Sequence, residues 1–430
     1  MGYADRLSDK ERKHYFRVAV TSAMVGAIST QLIESNALIV LYLTMLGSSE
    51  SLSMFSTGLP SLSHLILLIP CASFAARFGL RKTYTFSSFA GFAAFLLIAA
   101  APLAGKFAGL VVIGACFIYA LTLTVYTSTW YPLLDNILQP EDRSPFFSRM
   151  RFTYMLFNAG LLFVLGKILD AKPGLAVLQS AFVIAGLGLI GRKFCMDALP
   201  IDPDMKRESP DLKASLTTCL HNQPLVGFSI YLCFMYMAFS AAMPLALVYM
   251  KRELALAGGT IMVITSVNII GKVTGFWLLA RLTKRFSMRT LIISVHLATF
   301  AAVLFLLFLI PDMPFLPWFF GSAFFILGVI HALLLNINSV EMLALAKPGN
   351  KIMAIAFCST AIAIGTAAGT TLTSLLLGCG ALAPKWLFMG MELTKFQLLF
   401  AIYALAILFF LILLPLVPAV IRKHDDYYNP

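Results

Sequence analysis

The stretch that decides the fold is A-R-F-G-L-R-K at residues 76–82, which returns in weaker form as K-R-F-S-M-R at residues 284–289. Each copy follows a long apolar run, and their shared Arg-Phe pairs lie 208 positions apart (285 minus 77). Pro140 and Pro348 keep the same offset. In a chain of 430 residues, this repetition predicts two parallel copies of one membrane-embedded unit.

The composition places the chain in a lipid bilayer. Sixty per cent of the residues are hydrophobic and 12% are charged, whereas soluble domains have about 45–50% and about 25%. The net charge of +12 does not indicate nucleic-acid binding, because the basic residues lie between apolar runs, where they orient membrane spans. The polar start of the chain argues against a cleavable signal peptide. The seven cysteines have neither paired nor metal-type spacing, so we expect reduced thiols.

Twelve apolar stretches are long enough to cross a bilayer as helices, which takes about 20 residues each. They are expected near residues 18–45, 53–75, 84–104, 108–131, 152–169, 173–191, 224–249, 258–280, 290–311, 315–340, 353–379 and 396–420. The polar segment 192–223 separates the first six from the last six, so it is interpreted as a linker between bundles 1–191 and 224–430. The predicted fold is all-α, with twelve transmembrane helices in two pseudo-symmetric six-helix bundles.

The distribution of lysine and arginine predicts the orientation. With twelve spans, 24 of the 32 basic residues fall on the side that carries both termini and the linker, and seven fall on the other side. Lys272, inside a span, completes the count. We therefore expect a protein of the inner (cytoplasmic) membrane with both termini in the cytoplasm.

Residues 76–82 resemble the signature loop of the major facilitator superfamily, an Asp-Arg-x-Gly-Arg-Arg-like sequence between helices 2 and 3. Members of the family commonly repeat the motif after helix 8, where residues 284–289 fall. The resemblance implies a secondary transporter that works by alternating access. The family's aspartate helps to hold a cytoplasmic gate, but Ala76 occupies that position here, so this role is not carried over. The Gly-Pro-rich antiporter signature of helix 5 is not visible in residues 152–169.

Basic and acidic residues at the ends of the predicted spans are candidate gate residues. The candidates are Arg77, Arg81, Asp135, Arg285, Arg289 and Glu341. Arg77 and Arg81 are expected to pair with carboxylates at nearby helix ends, such as Asp135, Glu141 or Glu341. The alternative is that these arginines only anchor the topology.

Glu34 and His64 are the candidate proton-coupling residues. An ionisable Asp, Lys or Arg at mid-membrane costs about 2.5–3.5 kcal/mol, so it persists where it faces a cavity or a partner. Gln31 and Glu34 share one face of the first predicted helix. In the family that the chain resembles, this helix lines the central cavity. Glu34 is interpreted as a proton-binding carboxylate or as one partner of a permanent salt bridge. His64 either binds a proton near neutral pH or packs as a neutral residue.

Lys272 is the basic residue farthest from a predicted membrane edge, and a buried ammonium group needs an anion. That anion is a substrate, Glu34 or another structural partner. The candidate substrate-binding residues are Lys272, Gln31, Tyr119, Tyr126, Asn268, Tyr236, His331 and Asn336. The hydroxyl groups of the predicted helix 108–131 suit a polar solute, although Ser and Thr often bond within their own helix.

The sequence predicts a monomeric secondary transporter of a small polar or anionic organic solute, with proton-coupled symport favoured and sodium as an alternative coupling ion. The rival hypothesis is an exporter or antiporter of amphipathic compounds or lipids. The absence of a P-loop argues against ATP-driven pumping. We predict no cofactor and no metal site. An enzyme is disfavoured, because the carboxylates near the membrane edges lack the Ser/His partners of nucleophilic catalysis. The expected partners are the solute, the proton and the lipid bilayer, and not nucleic acid.

Overall fold

The computed structural model of the chain describes residues 6–34, 36–67, 79–135, 137–172, 174–201, 212–311, 313–346, 351–383, 385–388 and 391–413. In chain order its elements are α1 Asp9–Glu34, α2 Ala37–Met45, α3 Glu50–Ser56, α4 Leu80–Ala100, α5 Ala108–Asp135, α6 Pro140–Ala171, α7 Leu175–Asp197, α8 Leu212–Leu220, α9 Gln223–Arg252, α10 Gly258–Arg285, α11 Met288–Leu307, α12 Leu316–Leu345, α13 Lys351–Gly378, β1 Lys385–Phe388, β2 Met391–Thr394 and α14 Lys395–Leu413.

The chain divides into two compact units. The first contains Met1–Ser48 and Ser63–Ser209, and the second contains Ser49–Leu62 and Pro210–Pro430. The division falls in the predicted linker, except that residues 49–62, from the second predicted span, group with the C-terminal half.

Ten helical stretches of the described residues are long and apolar enough to cross a membrane, so the chain is a multi-pass membrane protein. One of them, Leu80–Thr127, is 48 residues long and contains two predicted spans, with a 3-10 helix and a kink at Gly105 between α4 and α5. No such stretch of the described residues covers the predicted span 53–75. There α3 ends at Ser56 and a second helical run covers 59–67, and residues 68–78 lie outside the described residues. The count of twelve spans therefore stays a prediction.

The first predicted span, 18–45, consists of two helices. The helix α1 begins at Asp9 and ends at Glu34, and α2 begins at Ala37. Between them Asn36 has a φ of 62°, in the left-handed region, which asparagine adopts more readily than most residues. Because the break follows directly, Glu34 is the last residue of a helix and not an interior residue.

The helices α1 and α7 of the first unit are packed closely through small residues. A Cβ atom at Gly188 would lie 2.9 Å from the carbonyl oxygen of Val25. One turn away, the hydroxyl of Ser29 donates a hydrogen bond to the carbonyl of Ala185. This contact brings the C-terminal half of α7 alongside α1, which positions the candidate site residues of the first unit.

The helix α7 extends beyond the predicted bundle boundary at residue 191 and ends at Asp197. The sequence prediction places Arg192 and Lys193 in a polar linker, yet both lie within this helix. Lys193 forms an i,i+4 ion pair with Asp197, which supports the last turn, and Arg192 is buried against other helices. The predicted linker also contains the short helix α8.

Glycines bring two helix pairs of the second unit into backbone contact. At Gly365 and Gly369 of α13, an added Cβ atom would clash with a backbone carbonyl of α9, at Cys233 and Met237 respectively. At Gly271 of α10, an added Cβ would likewise clash with a backbone carbonyl of α12. These contacts fix α9 against α13 and α10 against α12.

The segment 49–62 is tied to the C-terminal helices of the second unit. Glu50 forms an ion pair with Lys395, at the start of α14. The hydroxyl oxygens of Ser51 and Ser374 are 3.1 Å apart, and Ser374 also donates to the carbonyl of Ser51. A Cβ atom at Gly58 would clash with a side chain of α13. The helix α3 is therefore packed onto α13.

The strands β1 and β2 form an antiparallel hairpin between α13 and α14, with Lys385 opposite Thr394. Lys385 donates a 2.8 Å hydrogen bond to Glu392, and this bond raises the pKa of the exposed lysine above its ordinary value. The strand residue Leu387 is 81% exposed. The hairpin thus presents both charged and apolar side chains outside the helices.

Candidate functional site

Aromatic and amide side chains predicted for the second half form a connected cluster on α9 and α12. The amide of Asn338 donates a 3.3 Å hydrogen bond to the hydroxyl of Tyr236. The ring of Tyr236 meets Phe239 edge-on, with centroids 6.1 Å apart. Phe239 in turn lies against His331, at a centroid distance of 5.9 Å. The cluster brings together Tyr236 and His331, two of the predicted site residues.

Lys272 adds a positive charge to this cluster. It lies on α10, is partly buried, and interacts electrostatically with His331 on α12. Lys272 therefore acts on the cluster through its charge near His331. We define Lys272, His331, Tyr236, Phe239 and Asn338 as the Lys272 cluster.

Two of the predicted amide residues are engaged by the fold. The side chain of Asn268 donates a 2.7 Å hydrogen bond to the carbonyl of Phe324 and so links α10 to α12. Asn336 donates to the carbonyl of Ala332, one turn earlier in its own helix. These bonds explain how two polar side chains are accommodated among apolar helices. Their contact with a substrate stays a prediction.

The predicted site residues of the first unit lie on α1 and α5. The hydroxyl of Tyr119 is 3.3 Å from the hydroxyl of Thr30, and Gln31, the next residue of α1, is partly buried. Thr122 and Thr129 donate to carbonyl groups of their own helix, three residues earlier. The hydroxyls of those two threonines are therefore used within α5, as the intrahelical alternative predicts.

Arg192 is a buried cation that the sequence prediction does not include among the site residues. It is only 3% exposed, and its guanidinium carbon lies 3.5 Å from the centre of the Tyr126 ring. A side chain at Gly26 would clash with its Cδ atom, so the glycine leaves the space that Arg192 occupies. Within the described ranges, its Nε has no hydrogen-bond partner and the side chain has no ion pair.

A signal for Arg192 is present in the sequence. The buried face of α7 repeats through Ala185, Gly188 and Leu189, and it reaches Arg192 at the next helical step. Counting Arg192 as a topology signal hides this periodicity, because every lysine and arginine near a span end contributes to that count in the same way. The helical phase, and not the charge, separates it from the neighbouring Lys193.

The two proton-coupling candidates are described to different extents. The side chain of Glu34 lies outside the described residues, so its predicted role stays a prediction. His64 lies in the helical run 59–67 and is partly buried. Its neighbour Ser63 is buried, and the hydroxyl of Ser63 is 3.0 Å from that of Thr124 on α5.

Arg81 pairs with Asp197, which is not among the predicted acids. Its guanidinium Nη2 donates to the backbone carbonyl of Asp197 at 3.2 Å, and its Nε lies 4.0 Å from the carboxylate. The hydroxyl of Tyr84 donates to the same carboxylate at 2.7 Å. Arg81 therefore pairs with a carboxylate at a nearby helix end other than the three named from the sequence, because α7 is longer than predicted and carries Asp197 to the start of α4.

The remaining gate candidates are only partly described. Arg77 and the side chains of Asp135 and Arg289 lie outside the described residues. Glu341 is buried, and Arg285 is exposed. In the described part of the chain, no group of three or more His, Cys, Asp or Glu side chains is arranged to hold a metal ion.

Comparison with known proteins adds the fold class. No family model matches the chain, and no curated protein matches it in sequence. In structure it is similar to a mutant of the nucleoside transporter NupG, with a TM-score of 0.75, 11% identity, and coverage of 96% of this chain and 100% of that one. It is also similar to a POT family transporter in complex with a thioalcohol-conjugated peptide, with a TM-score of 0.73, 12% identity, and coverage of 95% and 96%.

A third similar structure is the xylose transporter XylE from E. coli in an inward-open conformation. Its TM-score is 0.66 at 13% identity, and the match covers 93% of this chain and 95% of that one. At such low identity the similarity shows the fold and no substrate. The chain has the fold that these membrane transporters share.

Proposed function

We propose that the protein is a secondary transporter that moves a small polar or anionic organic solute across the cytoplasmic membrane by alternating access. An anionic solute is favoured, and the observation that carries this choice is Arg192. A guanidinium group is costly to bury in a membrane-spanning bundle unless an anion or a polar partner compensates it. In the described ranges its close partner is the face of Tyr126, which leaves its hydrogen-bond donors available to a carboxylate or phosphate.

The Lys272 cluster supports the same proposal from the second unit. Its lysine places a second positive charge near His331. The similar structures include transporters named for a nucleoside and for xylose, so this fold carries chemically different solutes. The proposal of an anion therefore rests on the chain's own cations and not on the comparisons.

Coupling to protons, in symport, is part of the proposal and rests on Glu34 and His64. Replacing Glu34 with Gln removes the titrating group at nearly constant size. We expect this variant to bind solute but to lose accumulation driven by a pH gradient in proteoliposomes. Accumulation equal to that of the parent protein, with the same pH dependence, would exclude Glu34 as the coupling residue.

The anion proposal is tested by thermal shift of the purified protein with panels of carboxylates, organic phosphates, neutral sugars and amphipathic cations. A ligand that binds the folded protein raises its melting temperature by mass action. We expect carboxylates or phosphates to stabilise the parent protein, and to stabilise Arg192→Gln and Lys272→Ala much less.

Lys167→Gln is the matched control for this test. Lys167 also places its ammonium group over an aromatic ring, that of Phe163 at 5.8 Å, but it is exposed. Its loss should leave the ligand response unchanged. If only amphipathic compounds stabilise the parent protein, and Arg192→Gln responds like the parent, the anion proposal fails and the exporter hypothesis takes its place.

A further inference from the structure

A cavity of about 470 Å³ lies between α10, α11 and α12 of the second unit. Of its 13 lining residues, only Thr274 and Ser294 are polar. The cavity is open at the protein surface, because the lining residues Phe286 and Ile326 are 49% and 45% exposed. Lys272 and the other members of the Lys272 cluster do not line it. We call it the α10–α12 groove.

The groove lies beside the glycine contacts between α10 and α12 and continues along α10 beyond them. Added Cβ atoms at Gly271 and Gly275 would press against backbone carbonyls of α12. Beyond Gly275 the helix α10 contains no further glycine, and the next residues on this face, Leu278 and Leu282, line the groove. Large apolar side chains of α10 thus line the groove beyond the glycine contacts, and the space is open at the surface.

One end of the groove is basic. Its lining reaches Phe286, in the turn between α10 and α11, and the exposed cations Arg281 and Arg285 lie near the end of α10. Arg285 follows Leu282 by three residues and Leu278 by seven, so it shares their helical face. It is exposed, and in the described part of the chain its side chain has no ion pair or hydrogen bond.

A second cation is held at the rim of the groove. The guanidinium carbon of Arg281 lies 3.6 Å from the centre of the Trp277 ring, and both side chains are exposed. Tryptophan is enriched where the hydrocarbon of a membrane meets the polar headgroups. Stacking on Trp277 therefore holds Arg281 at the depth where a lipid phosphate lies, and arginine binds phosphate through paired hydrogen bonds.

We infer that the α10–α12 groove binds an anionic phospholipid, with an acyl chain along Leu278 and Leu282 and the phosphate at Arg285 and Arg281. The apolar lining matches a hydrocarbon chain, and the basic end matches a negative headgroup. A second copy of this chain is a poorer occupant, because a helix about 10 Å wide would place only roughly one turn in this volume. The lipid is a resident of this surface and not the solute of the proposed function.

Quenching of Trp277 by brominated lipids tests the inference directly. The chain has four tryptophans, and Trp130→Phe, Trp318→Phe and Trp386→Phe leave Trp277 as the reporter. The full-length protein is placed in phosphatidylcholine–phosphatidylglycerol vesicles in which only one of the two lipids carries bromine. We expect half-maximal quenching at a mole fraction of brominated phosphatidylglycerol at least threefold lower than that of brominated phosphatidylcholine.

Two variants assign the preference to the groove. In the double variant Arg281→Gln with Arg285→Gln, the two brominated lipids should quench the Trp277 fluorescence equally. Each intensity is normalised to that of the same variant in unbrominated vesicles. Ala298→Phe, which places a ring in the groove, should reduce the quenching by phosphatidylglycerol. The matched controls are Lys82→Gln, an exposed cation in the corresponding loop of the first half, and Leu297→Phe, an exposed neighbour outside the lining. Both should keep the preference.

Equal quenching of the reporter protein by the two lipids would overturn the inference, because ordinary boundary lipid shows no such preference. A preference that survives the double glutamine substitution would overturn the assignment to these arginines. If that variant does not fold, Arg285→Gln alone replaces it. None of these outcomes depends on solute transport, so the inference fails or stands separately from the proposed function.

Discussion

In the first unit, the buried side chain of Arg192 stacks on an aromatic ring and occupies the space that Gly26 leaves. A cation–π contact contributes about 2 kcal/mol or more when it is desolvated, which offsets only part of the cost of burying a guanidinium group. The side chain is thus positioned by packing while its charge is incompletely compensated within the described ranges. This state suits a residue that awaits an anionic ligand better than one that only joins helices.

The contact between Arg192 and Tyr126 is measurable by a double-mutant cycle. We expect Tyr126→Leu and Arg192→Met to be non-additive, with a coupling free energy of about 1–2 kcal/mol in reversible unfolding of the purified protein. Tyr126→Phe keeps the ring and should retain most of the coupling. Strictly additive effects of Tyr126→Leu and Arg192→Met would show that the ring does not stabilise the guanidinium.

Helix pairs in the second unit depend on glycines that leave no room for a Cβ atom. At Gly365 the obstacle is the backbone carbonyl of Cys233, and at Gly369 it is that of Met237. Backbone cannot move aside as a flexible side chain can, so α9 and α13 would have to separate. In a bilayer, where lipid competes with helix–helix contact, close packing of this kind supplies much of the association.

Gly365→Ala should therefore destabilise the protein by about 1–3 kcal/mol, the usual cost of overpacking. Gly160→Ala is the matched control, because Gly160 lies inside helix α6 with no atom within 4 Å of the added Cβ. That change should be neutral or stabilising by roughly 0.5–1 kcal/mol, since alanine is the better helix former. Thermal unfolding in one detergent compares the two, and equal melting temperatures would contradict the predicted α9–α13 contact.

Across the whole chain, residues 49–62 depart from the division into two halves that the repeat predicts. They precede Ser63 in sequence but belong to the second compact unit. Glu50 and Ser51 contact Lys395 and Ser374, more than 300 residues away. The repeat is a property of the sequence alone, whereas these contacts depend on how the chain packs.

A cross-link between Ser51 and Ser374 tests whether this contact must open during transport. We expect Ser51→Cys with Ser374→Cys, in a background without the seven native cysteines, to form a disulfide that abolishes solute uptake, and reductant to restore uptake. Each single-cysteine variant should remain active under the same oxidation. Full uptake by completely cross-linked protein would show that α3 and α13 stay together throughout the transport cycle.

The sequence by itself determined the membrane class, the approximate positions of most spans and the fold family, because apolar length and the repeated basic loop are local properties of the chain. It also placed Tyr236, Lys272 and His331 among the site candidates, since polar side chains inside apolar runs are visible without coordinates. Tertiary structure decided how they are connected, because Phe239, which is not among the candidates, contacts both Tyr236 and His331.

Only the tertiary structure separated Arg192 from the surface cations and assigned Asp197 to Arg81. Near a span end, a buried cation and an exposed cation contribute equally to a count of charges. What buries Arg192 is the length and phase of its helix and the space left at Gly26. The α10–α12 groove likewise depends on which side chains of α10, α11 and α12 lie next to one another. These are properties of two surfaces in contact, which no single stretch of sequence contains.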